Sequence, residues 1–146
     1  SRPELSQGGR TVLITGGGAG IGFFTAEAFI RASAATVVIV GRRPEVLAQA
    51  RLDLQKKAAQ LEKPAIVVAE VCDVANRQSV AALWDKLGEQ DISVDVLVLS
   101  AARVTESVPL LDVGVEELAA AFRANVLGPH HFAQRLYQQP TKGPKV

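Results

Sequence analysis

Four short runs, TVLIT (11–15), ATVVIV (35–40), AIVVAEV (65–71) and VDVLVLS (94–100), are almost continuously apolar and rich in β-branched residues. A strand with one wet face alternates apolar and polar residues; these runs do not, and they suit strands covered on both faces, as in a parallel sheet. Parallel strands cannot be joined by tight hairpins, so each crossover needs a long connection. The intervening segments have the right period to supply it. Leu47, Ala50, Leu54, Ala58 and Leu61 recur on one face of a segment opened by Pro44, a residue favoured in a first helical turn. Val80, Leu83, Trp84 and Leu87 do the same from about Gln78 to Glu89, and a helix behind the first run turns Phe24, Ala28 and Phe29 toward the sheet. Helical material from about Val115 to Tyr137 then carries Leu118, Phe122, Val126 and Phe132. The order βαβαβαβα predicts an α/β fold of Rossmann type, a doubly wound parallel sheet with strand order 3-2-1-4. Trp84 and the helical aromatics read as packing.

With 146 residues, 48% of them hydrophobic and 21% charged, the chain is long enough for one domain with a real core. Sixteen basic residues against fifteen acidic ones leave a net charge of +1, which gives no reason to expect nucleic acid or an anionic membrane as partner. Cys72 stands alone, so it forms no internal disulfide and reads as a core residue; no Cys/His spacing resembles a zinc site. The longest apolar runs are too short to span a bilayer. These features predict a soluble cytoplasmic protein without a metal.

Between the first strand and the first helix lies TGGGAGIG, Thr15 to Gly22, with five glycines in eight residues. Each glycine loses more backbone entropy on folding than any other residue, so such a cluster needs a reason. A backbone free of side chains approaches a pyrophosphate closely, and the helix behind it offers unpaired N–H groups and the positive end of a dipole. Strict G-x-G-x-x-G spacing fits no register here, and no Lys follows for a P-loop. The spacing that fits is T-G-x-x-x-G-x-G, through Thr15, Gly16, Gly20 and Gly22.

That spacing, behind a strand and ahead of an amphipathic helix, resembles the short-chain dehydrogenase/reductase family over essentially the whole chain from about Gly9. The resemblance implies that Thr15, Gly16, Gly18, Gly20, Ile21 and Gly22 surround a dinucleotide pyrophosphate. Asp73 in CDV, with Val74, matches the position that contacts the adenine, and Ala101 and Ala102 would border the ribose through their backbone. Asn125 in AFRANVLGP matches the Asn of the catalytic tetrad. At the end of the second strand an NAD-binding site usually presents a carboxylate to the ribose 2′-hydroxyl, whereas a 2′-phosphate needs that charge replaced by a cation. Here the strand runs into Gly41-Arg42-Arg43, and a guanidinium grips phosphate bidentately, so NADP(H) is expected over NAD(H). Ala19 stands where many NADP-using relatives place a base, leaving Arg42 and Arg43 to supply the cation.

The chain departs from the family in two places. Leu99-Ser100-Ala101-Ala102 replaces the usual N-N-A-G, losing an Asn that ties neighbouring strands. The catalytic Ser and the Tyr-x-x-x-Lys pair are also missing. Tyr137 is followed by Lys142, one position too far and beyond Pro140, so it is not the catalytic tyrosine and reads as a helix residue with a partly packed ring. His130 and His131 point about 100° apart on a helix and cannot share a ligand, so one is expected partly buried and the other exposed. Glu116 and Glu117 read as first-turn helix charges. Ser100 could sit near a cofactor but has no base to activate it, and only Arg103, Val104 and their neighbours could contribute to a substrate pocket. The ending KGPKV resembles the loop before the family's fifth strand, which predicts a single dinucleotide-binding domain, 1–146, cut before that strand. VDVLVLS is too apolar for an exposed edge, so a missing segment or a second chain should cover it.

The resemblance therefore implies the cofactor-binding half of an NADP(H)-dependent oxidoreductase acting on a small carbonyl or alcohol, inactive by itself, with Asn125 organising a proton relay in the complete site. A catalytically incomplete module that binds a dinucleotide for regulation or structure stays open beside it. So does a methyltransferase with a glycine-rich first loop.

Overall fold

A computed structural model describes residues 2–140. Its four strands are β1 (Thr11–Thr15), β2 (Thr36–Gly41), β3 (Ile66–Val71) and β4 (Val96–Leu99), all parallel, in the order β3-β2-β1-β4. The predicted order is the one observed. Helices α1 (Gly20–Arg31), α2 (Pro44–Gln60) and α3 (Arg77–Glu89) make the crossovers. After β4 the chain forms α4 (Val115–Phe122), a π-turn (Arg123–Leu127) and α5 (Gly128–Gln138) as one nearly continuous helical run.

The alternation of side chains along each strand sorts the core into two layers. Val12 and Ile14 of β1 face α1 and α2, packing with Val37, Ile39, Ala26, Ile30 and Leu54. Leu13, between them, faces the other way with Val38 and Val40, against Leu83, Trp84, Leu87 and Phe132 of α3 and α5. Trp84 and Phe132 meet edge to face with ring centroids 6.1 Å apart, the geometry that suits aromatic quadrupoles. Each of these fully buried aliphatic side chains contributes about 1.5–3 kcal/mol by leaving water.

Three expectations about packing fail. In α1 the buried positions are Gly22, Ala26 and Ile30, with Phe23 and Phe29 packed at their edge; Phe24 is 67% exposed and Ala28 is exposed. Gly22 must lie against the glycine loop, and that fixes the helix rotation two positions away from the face that Phe24 and Ala28 suggest. Leu118, Phe122 and Val126 are about half exposed, and only Phe132 of that series is buried. The first half of the run has no layer beside it among the described residues. Tyr137 is 83% exposed instead of partly packed.

Register brings the loops together. Thr15 pairs with Val40 on one side and with Leu99 on the other, and Gly41 pairs with Val71. The carboxyl ends of all four strands therefore lie in one row. The chain runs outward through β2 and β3, then returns across β1 to β4, so β1 and β4 flank the point where connections diverge. Open α/β sheets bind ligands in that crevice.

Candidate cofactor-binding site

A cleft of about 610 Å3 opens at that row. Gly16 and Gly18 border it after β1, Gly41, Arg42 and Arg43 after β2, Asp73 and Val74 after β3, and Ser100, Ala101 and Ala102 after β4. Of the residues singled out from sequence, these line one cavity. Thr15, Gly20, Ile21, Gly22 and Asn125 do not line it.

The loop is shaped by its glycines. Gly16 adopts φ +69°, a left-handed conformation that side chains disfavour. A Cβ on Gly22 would lie 2.2 Å from the Gly16 carbonyl oxygen, so the first turn of α1 packs directly on the loop and aims its N-terminus at the cleft. This close backbone contact passes a test the residues must meet to hold a pyrophosphate: only a side-chain-free loop brings strand, turn and helix end so near. Ile21 projects outward at 81% exposure.

Thr15 is buried, and its Oγ1 accepts a hydrogen bond from the Ala101 N–H at 3.1 Å. The threonine thus ties β1 to the loop after β4, the kind of tie that Asn provides in the N-N-A-G pattern. Asn125 adds a second. Its Oδ1 accepts from the Arg103 N–H and its Nδ2 donates to the Arg103 carbonyl, both at 2.8 Å. Asn125 sits in the π-turn, a distortion that often marks functional positions in helices.

Charge in the cleft is unbalanced. Among the described residues its lining holds the guanidinium groups of Arg42, Arg43, Arg103 and Arg123 and a single carboxylate, Asp73. Arg103 is neutralised by a two-pronged bond to Glu117, at 3.1 and 2.7 Å. That hydrogen bond is the main reason the Glu117 carboxyl lies below its ordinary range and the Arg103 guanidinium above its own. Glu116 and Glu117 both lie in the first turn of α4, as expected, but the Glu117 partner was not legible in the spacing. Asp73 is held by its own loop and by the first turn of α3: Oδ1 accepts from Ala75 N–H, and the Asp73 N–H donates to Ser79 Oγ, both at 3.0 Å.

Sequence reasoning missed the helical wall of the cleft, formed by Ala120, Arg123 and Ala124. Their spacing of three and four residues places them on one helical face, and that was the available signal. Cys72 is buried as expected, yet it also reaches the cleft lining; burial pushes its thiol upward, away from the reactive thiolate. His131 is partly buried and His130 exposed. Val104 is 90% exposed. Lys142 and the KGPKV ending lie outside the described residues. Among the described residues there is no cluster of three or more His, Cys, Asp or Glu side chains suited to a metal, and no helix is long and apolar enough to cross a membrane.

The family model for short chain dehydrogenases matches residues 10–145. The chain belongs to that family. A short chain dehydrogenase/reductase from Aspergillus aculeatus, AacuD, is 37% identical over 94% of this chain and 46% of its own length. A second, dpmpG from Macrophomina phaseolina, is 33% identical over 94% of this chain and 75% of its own. The chain thus spans about half the length of most of the curated relatives it matches. Among solved structures, MalC reductase/Diels-Alderase from Malbranchea aurantiaca superposes with a TM-score of 0.79 at 28% identity, covering 94% of this chain and 53% of that one. A short-chain dehydrogenase from Sphingobium yanoikuyae, solved in complex with NADPH, gives 0.73 at 25% identity over 87% and 46%. Membership in this family sets aside the methyltransferase reading.

Proposed function

We propose that this chain supplies the NADP(H)-binding half of a short-chain oxidoreductase. The observation that carries the reading is the cleft at the strand ends, with its glycine floor, one carboxylate and three guanidiniums that make no ion pair among the described residues. Gly16 and Gly18 would hold the pyrophosphate against the start of α1, with Gly20, Ile21 and Gly22 forming that helix end. Arg42 and Arg43 would grip the 2′-phosphate, in the place where Gly41 leaves no carboxylate to repel it. Asp73 and Val74 would border the adenine, and Ala101 and Ala102 the ribose. The NADPH-bound relative from Sphingobium yanoikuyae supports the choice of cofactor.

When bound, the nicotinamide supplies hydride transfer to or from a carbonyl or alcohol carbon of a small substrate. The chain's own contribution is to bind and orient. Asn125 holds the loop after β4, and in a complete site it would organise proton delivery. These 146 residues contain no Tyr-x-x-x-Lys, and the reading makes them inactive without a partner segment that carries one. Leu99, Leu118 and Phe122, at 42%, 53% and 53% exposure, support a further segment or second chain over β4 and α4. A cytoplasmic location accords with a single free, buried cysteine.

Titration of the purified protein with NADPH and NADH tests the cofactor. NADPH should bind at least about tenfold more tightly, the effect of one charge-assisted contact to the 2′-phosphate. Equal or reversed affinities would overturn the NADP(H) assignment. Steady NADPH oxidation by the 146-residue chain with any of a panel of carbonyl compounds would overturn its inactivity.

A further inference from the structure

Arg123 differs from the other cations of the cleft in where it comes from. Arg42 and Arg43 follow β2, and Arg103 is spent on Glu117; Arg123 stands on the helical wall and makes no ion pair among the described residues. The π-turn holds it there. Its carbonyl accepts the Gly128 N–H across the widened turn, and a Cβ on Gly128 would lie 2.3 Å from the Val74 carbonyl oxygen. Gly128 therefore lets the π-turn press against the loop after β3, and it carries Arg123 to the same side of the cleft as Asp73 and Val74.

The Asp73 carboxylate and the Arg123 guanidinium border one cavity, yet their charged atoms are more than 4.0 Å apart. Two opposite charges that line one cleft without pairing with each other can each meet a bound ligand. A flat heterocycle with an amino group on its edge suits both: the edge donates to the carboxylate, and the π-face receives the planar guanidinium. We infer that Arg123 is a cofactor-positioning residue whose guanidinium lies against the face of the adenine ring while Asp73 meets its edge. The inference rests on the dinucleotide reading of the cleft, but not on the preference for NADP(H), because both dinucleotides carry adenine.

The experiment compares NADPH and NADH affinities of the protein as its gene encodes it with those of Arg123→Ala, Arg123→Lys and Arg42→Ala, each checked by thermal midpoint for intact folding. Arg123→Ala should weaken both dinucleotides by the same factor, about three- to tenfold, and Arg123→Lys should recover only part because it lacks the planar face. Arg42→Ala should weaken NADPH alone. A loss confined to NADPH with Arg123→Ala would make Arg123 a phosphate ligand and overturn the adenine contact; unchanged affinities would overturn it as well. Failure of the underlying reading shows separately, as unaltered protein that binds neither dinucleotide.

Discussion

Asn125 holds the main chain of Arg103 with both ends of its amide, accepting from the N–H and donating to the carbonyl at 2.8 Å each. The Arg103 side chain meanwhile reaches Glu117 in α4. The loop leaving β4 is thus pinned twice to the same helical run, once by backbone and once by side chain. Asn125→Ala removes the backbone pin. Because the site is solvent-accessible, we expect a stability loss of about 1–2 kcal/mol for the two hydrogen bonds. Hydrogen exchange at the Arg103 amide should quicken; unchanged protection of that amide would show that the pairing does not persist in solution.

Gly22 is the point where helix and loop touch. Gly22→Ala forces a methyl into the 2.2 Å approach to the Gly16 carbonyl, where both neighbours are backbone and cannot rotate aside. The helix must shift, at a cost of about 1–3 kcal/mol for overpacking, and the loop with it. Dinucleotide binding should fall more steeply than the thermal midpoint, since the cleft floor is what moves. A variant that binds as tightly as the parent would contradict the packing described here.

The sheet was legible because its signal is redundant: four apolar runs, three amphipathic crossovers and the handedness of parallel connections all agree on one topology. The glycine loop, Gly41-Arg42-Arg43 and Asp73 were legible because each directly follows a strand, and register gathers strand ends without further information. Rotation of α1 was not, since Phe24 outweighs Gly22 in any hydrophobic pattern, while in the structure the absence of a side chain decides which face turns inward. Arg123 and the Arg103–Glu117 pair escaped notice for another reason. Both depend on how a helix far along the chain docks over the loops, and a π-turn that shifts its phase has no signature in composition.

Thr15 places a hydroxyl among apolar strands, where an unsatisfied partner is costly. Thr15→Val preserves shape and removes the acceptor for the Ala101 N–H. Leaving that donor unpaired should destabilise the protein by about 1–3 kcal/mol. Thr15→Ser keeps the hydroxyl and should retain the bond, so its loss should be the smaller of the two in denaturant unfolding. Equal losses for Val and Ser would assign the effect to packing of the methyl instead.

His131 supplies a pH dependence that can be separated from those of the carboxylates. Burial first, then the neighbouring charges of Arg77, Arg135 and His130, hold its imidazole below the ordinary 6.5. The folded state therefore binds a proton less readily than the unfolded one, and stability rises with pH across that window. The stability is fully present above 6.5 and is lost as pH falls from there through the depressed folded value. Glu117, depressed from 4.5 by Arg103, loses its contribution only at lower pH. His131 thus loses its contribution at higher pH than Glu117 does, between pH 7.5 and about pH 5.5. The thermal midpoint should drop over that interval, and His131→Gln, which cannot take the proton, should drop less. If parent and variant fall in parallel, the proton goes elsewhere and His131 does not couple folding to pH.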